Sequence, residues 1–354
     1  MGIRECCSAF LGGLPDPALP LMPSMALGMI FAALILVIFY KKENKVPLKI
    51  AVLEILRKVF YLFPTPDHSE SQSCRNSSCV RCCKYKELEQ QIAEKWKALD
   101  SKTQESTSLR LRDAVQTVVR RLVPAAEKLG EDRTRTSQKE KSLQSAFQKP
   151  TIFPVDLPAN PYWNEFDVYG MELRLLKLNF SIILKEFESV FEALKGGDNW
   201  GWKLNDIPRG HWCIFPFIDQ GVVNESNCKR CPNTSTMIGS LPSVMQDCVF
   251  GNACFSVLYP DSHIEPHYGP TNLRLRCHLG LKIPSDCWLE VNGTQHKWKP
   301  EETVVFDDSF EHSATFSEQP SAAQASPRAV LIIDFWHPDV TKDEKKILLD
   351  LLSP

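Results

Sequence analysis

Three residues far apart in the chain have side chains that together could bind a metal and an anion: His267, His312 and Arg328. His267 precedes a Gly-Pro-Thr-Asn turn, and the turn leads into a strictly alternating run. Leu273, Leu275, Cys277, Leu279, Leu281 and Ile283 fall on one parity. Arg274, Arg276, His278, Gly280 and Lys282 fall on the other. Period two over this length predicts a β-strand at 273–283, with the apolar face packed inward on a second sheet. The charged face is either a solvated outer surface or the wall of a pocket for an anion, since arginine pairs well with carboxylates. His312 follows a predicted strand, Thr303 to Asp307, and Arg328 opens another that ends in Trp336-His337-Pro338. Two imidazoles suit Fe(II), and a distant guanidinium suits the far carboxylate of 2-oxoglutarate.

The elements around these residues predict a mainly β domain. Short strands at about 211–217, 253–259, 273–283, 287–291, 303–307 and 328–335 are separated by Gly, Pro and Asn turns. That pattern argues a double-stranded β-helix, or jelly roll, with flanking helices. A single helix is expected over Phe166 to Leu194, with Leu173, Leu176, Phe180, Ile183, Leu184, Phe187 and Phe191 as its buried stripe, and a closing helix over Lys342 to Leu352.

Four strings carry a family resemblance: Phe250-Gly-Asn-Ala-Cys-Phe-Ser-Val-Leu258, His267-Tyr-Gly-Pro-Thr-Asn-Leu-Arg-Leu-Arg-Cys-His-Leu-Gly-Leu281, Phe306-Asp-Asp-Ser-Phe-Glu-His312 and Ile333-Asp-Phe-Trp-His-Pro338. Over about 150–345 the chain resembles the aspartyl/asparaginyl β-hydroxylase family, and in particular its small membrane-anchored members. The resemblance implies an Fe(II)/2-oxoglutarate-dependent dioxygenase that uses O2 and hydroxylates Asp or Asn side chains of protein or peptide substrates. It implies His267 and His312 as iron ligands. Arg328, helped by Ser256, would hold the distal carboxylate, and Arg276 and His278 would line the cosubstrate or substrate site. The carboxylate ligand usual two residues after the first histidine is replaced by Gly269, as in that family. A two-histidine metal should bind more weakly and depend more on the dianionic cosubstrate; a chloride at the open position, and so halogenation, is a formal alternative. Asp307 and Asp308 are candidates for a carboxylate ligand, with a turn and supporting role the simpler reading. His263, His296 and His337 read as turn or surface residues, and Cys254 and Cys277 as packed thiols. A catalytically inactive, membrane-tethered binding or scaffold protein is the alternative from a different class.

The remainder of the 354 residues reads as a tether. Residues 1–20 form a short tail. Leu21 to Tyr40 carries no charged residue and is long enough for one transmembrane signal anchor. Residues 41–149 read as a Cys-containing helical stalk and linker, with Leu88, Ile92, Trp96 and Leu99 on one stripe. Residues 150–354 form the dioxygenase-like domain.

Lys41, Lys42, Lys45 and Lys49 after the anchor favour a cytosolic C-terminal part. Sequons at Asn76, Asn179, Asn224, Asn233 and Asn292, together with 13 cysteines, favour the lumen. The expectation is a type II, single-pass glycoprotein of the endoplasmic reticulum or secretory pathway. The Cys-x-x-Cys pairs, Cys79/Cys82 and Cys228/Cys231, then read as disulfides, with structural zinc the alternative. A net charge of −2 argues against a nucleic-acid binder. Oligomeric state is open.

Overall fold

A computed structural model describes residues 87–122, 147–165, 167–198, 200–205, 207–317 and 326–354. The expected anchor at 21–40 and the cysteines from Cys74 to Cys83 lie outside them. Among the described residues, no helix is long and apolar enough to cross a membrane.

Among the described residues, twelve strands form two antiparallel sheets. In chain order they are β1 (Tyr162–Trp163), β2 (Lys203–Asn205), β3 (Trp212–Asp219), β4 (Val222–Val223), β5 (Ala253–Leu258), β6 (Ser262–His267), β7 (Arg274–Lys282), β8 (Cys287–Val291), β9 (Thr294–His296), β10 (Thr303–Phe306), β11 (His312–Phe316) and β12 (Arg328–Trp336). The large sheet runs β1-β10-β7-β12-β5-β3-β2, with β4 on β3, and the small sheet runs β6-β11-β8-β9. From β5 to β12 the chain passes back and forth between the sheets. The order β10-β7-β12-β5 against β6-β11-β8-β9 is that of a jelly roll. Side chains from both sheets meet in one core that includes Cys254, Leu258, Ile264, Leu289, Phe306, Phe316, Val330 and Ile332.

Register decides which parity faces that core, because directly opposed residues of an antiparallel pair share a face. Val330 and Ile332, both in the core between the sheets, oppose Gly280 and His278 on β7. The expectation that the apolar parity of β7 packs on the second sheet is therefore reversed. Arg274, Arg276 and His278 face inward, and Cys277 and Leu279 are buried on the opposite face of the sheet. An irregularity at Ala329/Val330 interrupts the pattern, and Lys282 pairs with Glu188.

The helices, also in chain order, are α1 (Leu88–Ala98), α2 (Ser101–Ser106), α3 (Leu109–Leu122), α4 (Gly170–Leu178), α5 (Phe180–Lys195), α6 (Glu225–Arg230), α7 (Pro232–Ser240) and α8 (Lys342–Leu351). The single helix expected over 166–194 is broken at Asn179, whose side-chain amide donates to the Leu175 carbonyl. α5 covers the outer face of the large sheet. Its Phe187 ring lies 5.3 Å from Phe255, which in turn contacts Phe215 and Phe217.

The expected stalk over 41–149 is, within residues 88–122, part of a packed core. Leu88 and Ile92 of α1 and Leu111, Val115 and Val118 of α3 are buried with Phe153, Phe250, Trp336, Leu348 and Leu351. Their helical stripes have found the back of the domain rather than a coil partner. Glu344 ties the layers together. Its carboxylate accepts from Arg110 Nε at 2.7 Å and Ser108 Oγ at 2.7 Å, and closes a capping box with Thr341 at the start of α8. Burial alone would raise this carboxyl, but the Arg110, Thr341 and Ser108 hydrogen bonds lower it to about 2 from 4.5. Its stabilising contribution is therefore complete above the unfolded value and fades as pH falls toward the folded one. Glu344→Gln is expected to cost about 2 kcal/mol at neutral pH and to remove that part of the acid sensitivity. Urea melts between pH 2 and 7 would show it.

Candidate metal and anion site

The two histidines meet at the edge of the small sheet. His267 ends β6 and His312 begins β11, directly opposed in register, with ring centroids 4.1 Å apart. Neither strand was expected from the sequence. His267 Nδ1 donates to the Glu265 carbonyl at 2.8 Å, and His312 Nδ1 donates to the Phe310 carbonyl at 3.0 Å. A carbonyl only accepts, so both Nδ1 atoms carry hydrogen and both Nε2 atoms carry the lone pair in the neutral ring. This is the arrangement a metal-binding imidazole needs. Burial pulls His312 down to about 4, which keeps it neutral near pH 7.

Gly269 is held by backbone. Its N–H donates to the Asp308 carbonyl at 2.6 Å, and its own carbonyl accepts from Thr151 N at 3.0 Å. A Cβ there would come within 2.8 Å of the Asp308 carboxyl group. The position that elsewhere holds a third ligand thus has no room for a side chain. Gly269→Asp is expected to lose stability by about 3 kcal/mol, through overpacking and a second buried carboxylate, rather than to complete a three-ligand site. Thermal melts with and without Co(II) would decide: a stable variant with tightened metal binding contradicts this account.

Asp308 is itself committed. Its carboxylate pairs with Arg274 and lies 3.3 Å from Arg276, while Asp334 accepts from Arg276 Nε at 2.7 Å and from Arg274 Nη1 at 3.1 Å. Asp334 also accepts two hydrogen bonds from Asn252. Burial would raise the Asp308 carboxyl, but the charges of Arg274 and Arg276 hold it well below the usual range. Two cations and two anions so compensate one another beneath the histidines. Arg276, expected to touch the cosubstrate, keeps 18% of its side chain exposed and spends Nε and Nη2 on Asp334. Asp307 sits apart from this cluster, bonded to Gln148 and Ser309, and burial pushes it up to about 7.

Arg328 differs from both of those arginines. It is 2% exposed, and among the described residues no carboxylate pairs with it. Its Nη1 reaches Ser256 only at 3.4 Å, its Nε has no partner among the described residues, and burial lowers the guanidinium to about 10. Its guanidinium carbon lies 4.5 Å from the centre of the Trp298 ring. A line of rings joins this cation to the histidine pair: Trp298 to His278 at 6.0 Å, His278 to Phe306 at 5.0 Å, and Phe306 to His312 at 5.8 Å.

Trp298 and Trp212, which donates to Ser256 Oγ at 3.0 Å, belong to this site and were not anticipated from the sequence. The one signal for Trp298 was a large aromatic in an otherwise charged string, His296-Lys-Trp-Lys-Pro300.

The other candidates fall outside the site. His337, expected at a turn or surface, is buried, with Nε2 donating to the Pro158 carbonyl and Nδ1 accepting from Asp339 N. His263 lies against Thr315, and His296 against Tyr162. Cys254 and Cys277 are buried thiols, and burial raises both. Cys228 and Cys231 are free thiols, each directed at a backbone carbonyl, in place of the expected disulfide. Among the described residues, no cluster of three or more His, Cys, Asp or Glu side chains could hold a metal. The histidine pair and the buried Arg328 guanidinium, which no carboxylate among the described residues pairs, stand at opposite ends of an aromatic-lined interior. That fits a divalent metal chelated by a ligand whose far end is an anion.

Fold and site together define a jelly-roll protein with a two-histidine, arginine-backed centre. The family model for aspartyl/asparaginyl beta-hydroxylase matches residues 177–338. Aspartate beta-hydroxylase domain-containing protein 2 of Mus musculus is 37% identical over 286 residues, covering 80% of this chain and 77% of that protein. The human aspartyl/asparaginyl beta-hydroxylase is 32% identical over 210 residues, which is 58% of this chain but 26% of that longer protein. Among solved structures, AviO1 from Streptomyces viridochromogenes Tue57 aligns with 45% of this chain and 85% of its own, at 11% identity and a TM-score of 0.31, so the fold rests on the strand order given above. The chain belongs to the aspartyl/asparaginyl β-hydroxylase family, a family of hydroxylase type.

Proposed function

We propose that this protein is a membrane-anchored Fe(II)/2-oxoglutarate-dependent dioxygenase that hydroxylates Asp or Asn side chains of protein substrates. The observation that carries the reading is Arg328: a buried guanidinium without a counter-ion costs free energy unless a ligand supplies the anion. In this reading His267 and His312 hold the metal through Nε2, and Arg328 with Ser256 takes the distal carboxylate of 2-oxoglutarate. Iron held there supplies the redox chemistry that couples decarboxylation of 2-oxoglutarate to hydroxylation of a C–H bond by O2. The protein fixes both ends of the cosubstrate, and Phe306, Trp298 and Ile332 keep water from the interior between them. Succinate release by the full chain supplied with Fe(II), O2 and 2-oxoglutarate tests this directly. Release that is abolished in His267→Ala supports it. The absence of any release from a folded, iron-loaded chain favours the scaffold alternative.

The lumenal, type II placement is proposed with it. Asn292 offers a test. It lies exposed at the tip of the β8–β9 hairpin with Gly293, at φ 49° and 75°, as a two-residue Asn-Gly turn requires. The side chains of Asn179, Asn224 and Asn233 are instead occupied in hydrogen bonds at helix ends. Removal of N-glycans should therefore shift the mobility of the chain made in a secretory cell, and Asn292→Gln should reduce that shift. A chain untouched by the glycosidase contradicts the lumenal placement.

A further inference from the structure

His278 lies between the histidine pair and Arg328, and the direction of its hydrogen bonds is fixed by a neighbour. Trp298 Nε1 lies 3.2 Å from His278 Nδ1. An indole N–H only donates, so Nδ1 must accept. The imidazole is neutral, since burial first, then the charges of Arg328 and Arg276, lower it well below its ordinary value. Its one remaining hydrogen therefore sits on Nε2. That atom is buried and has no partner among the described residues. The same indole presents its face to Arg328, whose Nε is also buried and without a partner among the described residues. Two donors that no described residue accepts from thus flank one tryptophan.

The backbone explains how Trp298 comes to stand there. After β9 the chain crosses over β7 at Gly280, whose N–H donates to the Glu302 carbonyl and whose carbonyl accepts from Glu301 N, both at 3.0 Å. A Cβ on residue 280 would collide with the Lys299 carbonyl. Glycine permits that approach, and the crossing seats Trp298, 4% exposed, in the core beside His278.

We infer that Trp298 is a positioning residue: its N–H locks His278 in the Nε2–H tautomer, so that the imidazole donates a hydrogen bond to the anion held by Arg328. The opposite tautomer would present a lone pair to that anion and repel it. The identity of the anion as 2-oxoglutarate rests on the proposed function; the tautomer does not.

The test uses the full chain with 15N-labelled histidine, without metal or cosubstrate, and His278 assigned by its disappearance in His278→Gln. Long-range 15N–1H spectra should show a pyrrole-type Nε2 and a pyridine-type Nδ1 at His278. Trp298→Phe keeps an aromatic face but no donor, and should release the tautomer. With Mn(II) present, that variant should bind 2-oxoglutarate about tenfold more weakly, the worth of one hydrogen bond. On a His278→Gln background, where an amide donates unaided, Trp298→Phe should cost nothing further. A hydrogen on Nδ1 in the wild-type chain overturns the inference, and that measurement needs no variant to fold. A loss of affinity equal on both backgrounds also overturns it, because packing would then be the whole role of Trp298. A tautomer that responds to Trp298 in a chain that binds no 2-oxoglutarate sustains the lock and overturns the cosubstrate assignment instead.

Discussion

Arg328→Met is expected to raise or preserve the stability of the ligand-free protein while removing its affinity for 2-oxoglutarate. The two effects have separate causes. In the free chain the guanidinium is desolvated, 2% exposed and unpaired by any carboxylate among the described residues. Replacing a poorly compensated buried charge by an apolar side chain of similar volume is worth about 1–2 kcal/mol in favour of the fold. Loss of the contact with Trp298, at 4.5 Å from its ring centre, takes back about 1 kcal/mol. In the bound state the same substitution leaves an anion buried without its partner, at a cost of about 2–5 kcal/mol, or roughly 30-fold to several thousand-fold in affinity. Thermal melts without ligand and 2-oxoglutarate titrations with Mn(II) read the two quantities independently. A variant destabilised by several kcal/mol would show that Arg328 serves the fold, and the anion assignment would fall with it.

Asp334→Ala is expected to have the reverse signature, a large loss of stability with the histidine pair untouched. Asp334 is fully buried and accepts from Arg274, Arg276 and Asn252. Removing it leaves two guanidinium groups facing the single charge of Asp308, which breaks a buried network at a cost of about 3–5 kcal/mol. For a domain of this size that lowers the melting temperature by about 10 °C. The remaining network should also become more sensitive to acid. Asp308 is depressed in the folded state, so its stabilising contribution is complete above its ordinary value and is lost as pH falls below it. With Asp334 gone, Asp308 carries the compensation alone. Urea denaturation at pH 7 and pH 2 measures both effects. A cost under about 1 kcal/mol at pH 7 would mean that solvent reaches and screens the pair of arginines.

A local pattern is visible in the sequence, whereas the partners that meet it in the fold are not. β7 is legible because its alternation runs unbroken from Leu273 to Ile283. The direction in which its charged face points is not. That depends on Asp308 and Asp334, which are 34 and 60 residues from Arg274 along the chain and meet it only in the fold. With those carboxylates in place, two arginines can face the interior, and the apolar parity is free to pack on the other side of the sheet. The strands that carry the histidines were missed for a simpler reason. β6 reads Ser-His-Ile-Glu-Pro-His and β11 reads His-Ser-Ala-Thr-Phe. Both are short and polar, and β6 contains a proline, so neither shows a clear hydrophobic period. The histidines themselves could be found by type and by resemblance, and the sheet that pairs them could not. The amphipathic stripes of α1 and α3 were visible as stripes, but nothing in a stripe says whether it meets another helix, a coil partner or the back of its own domain.

The most direct test of the account is a linkage measurement on the purified full chain. Fe(II) would be titrated anaerobically with and without saturating 2-oxoglutarate, and 2-oxoglutarate with and without Fe(II). With two protein ligands and a distant Arg328, neither partner has a complete site alone, and each should tighten the other by the same factor, as thermodynamic reciprocity requires. That mutual gain should vanish in Arg328→Met and in His312→Ala. Metal affinity that is the same in the presence and absence of 2-oxoglutarate would contradict the assignment of one bipartite site to His267, His312 and Arg328.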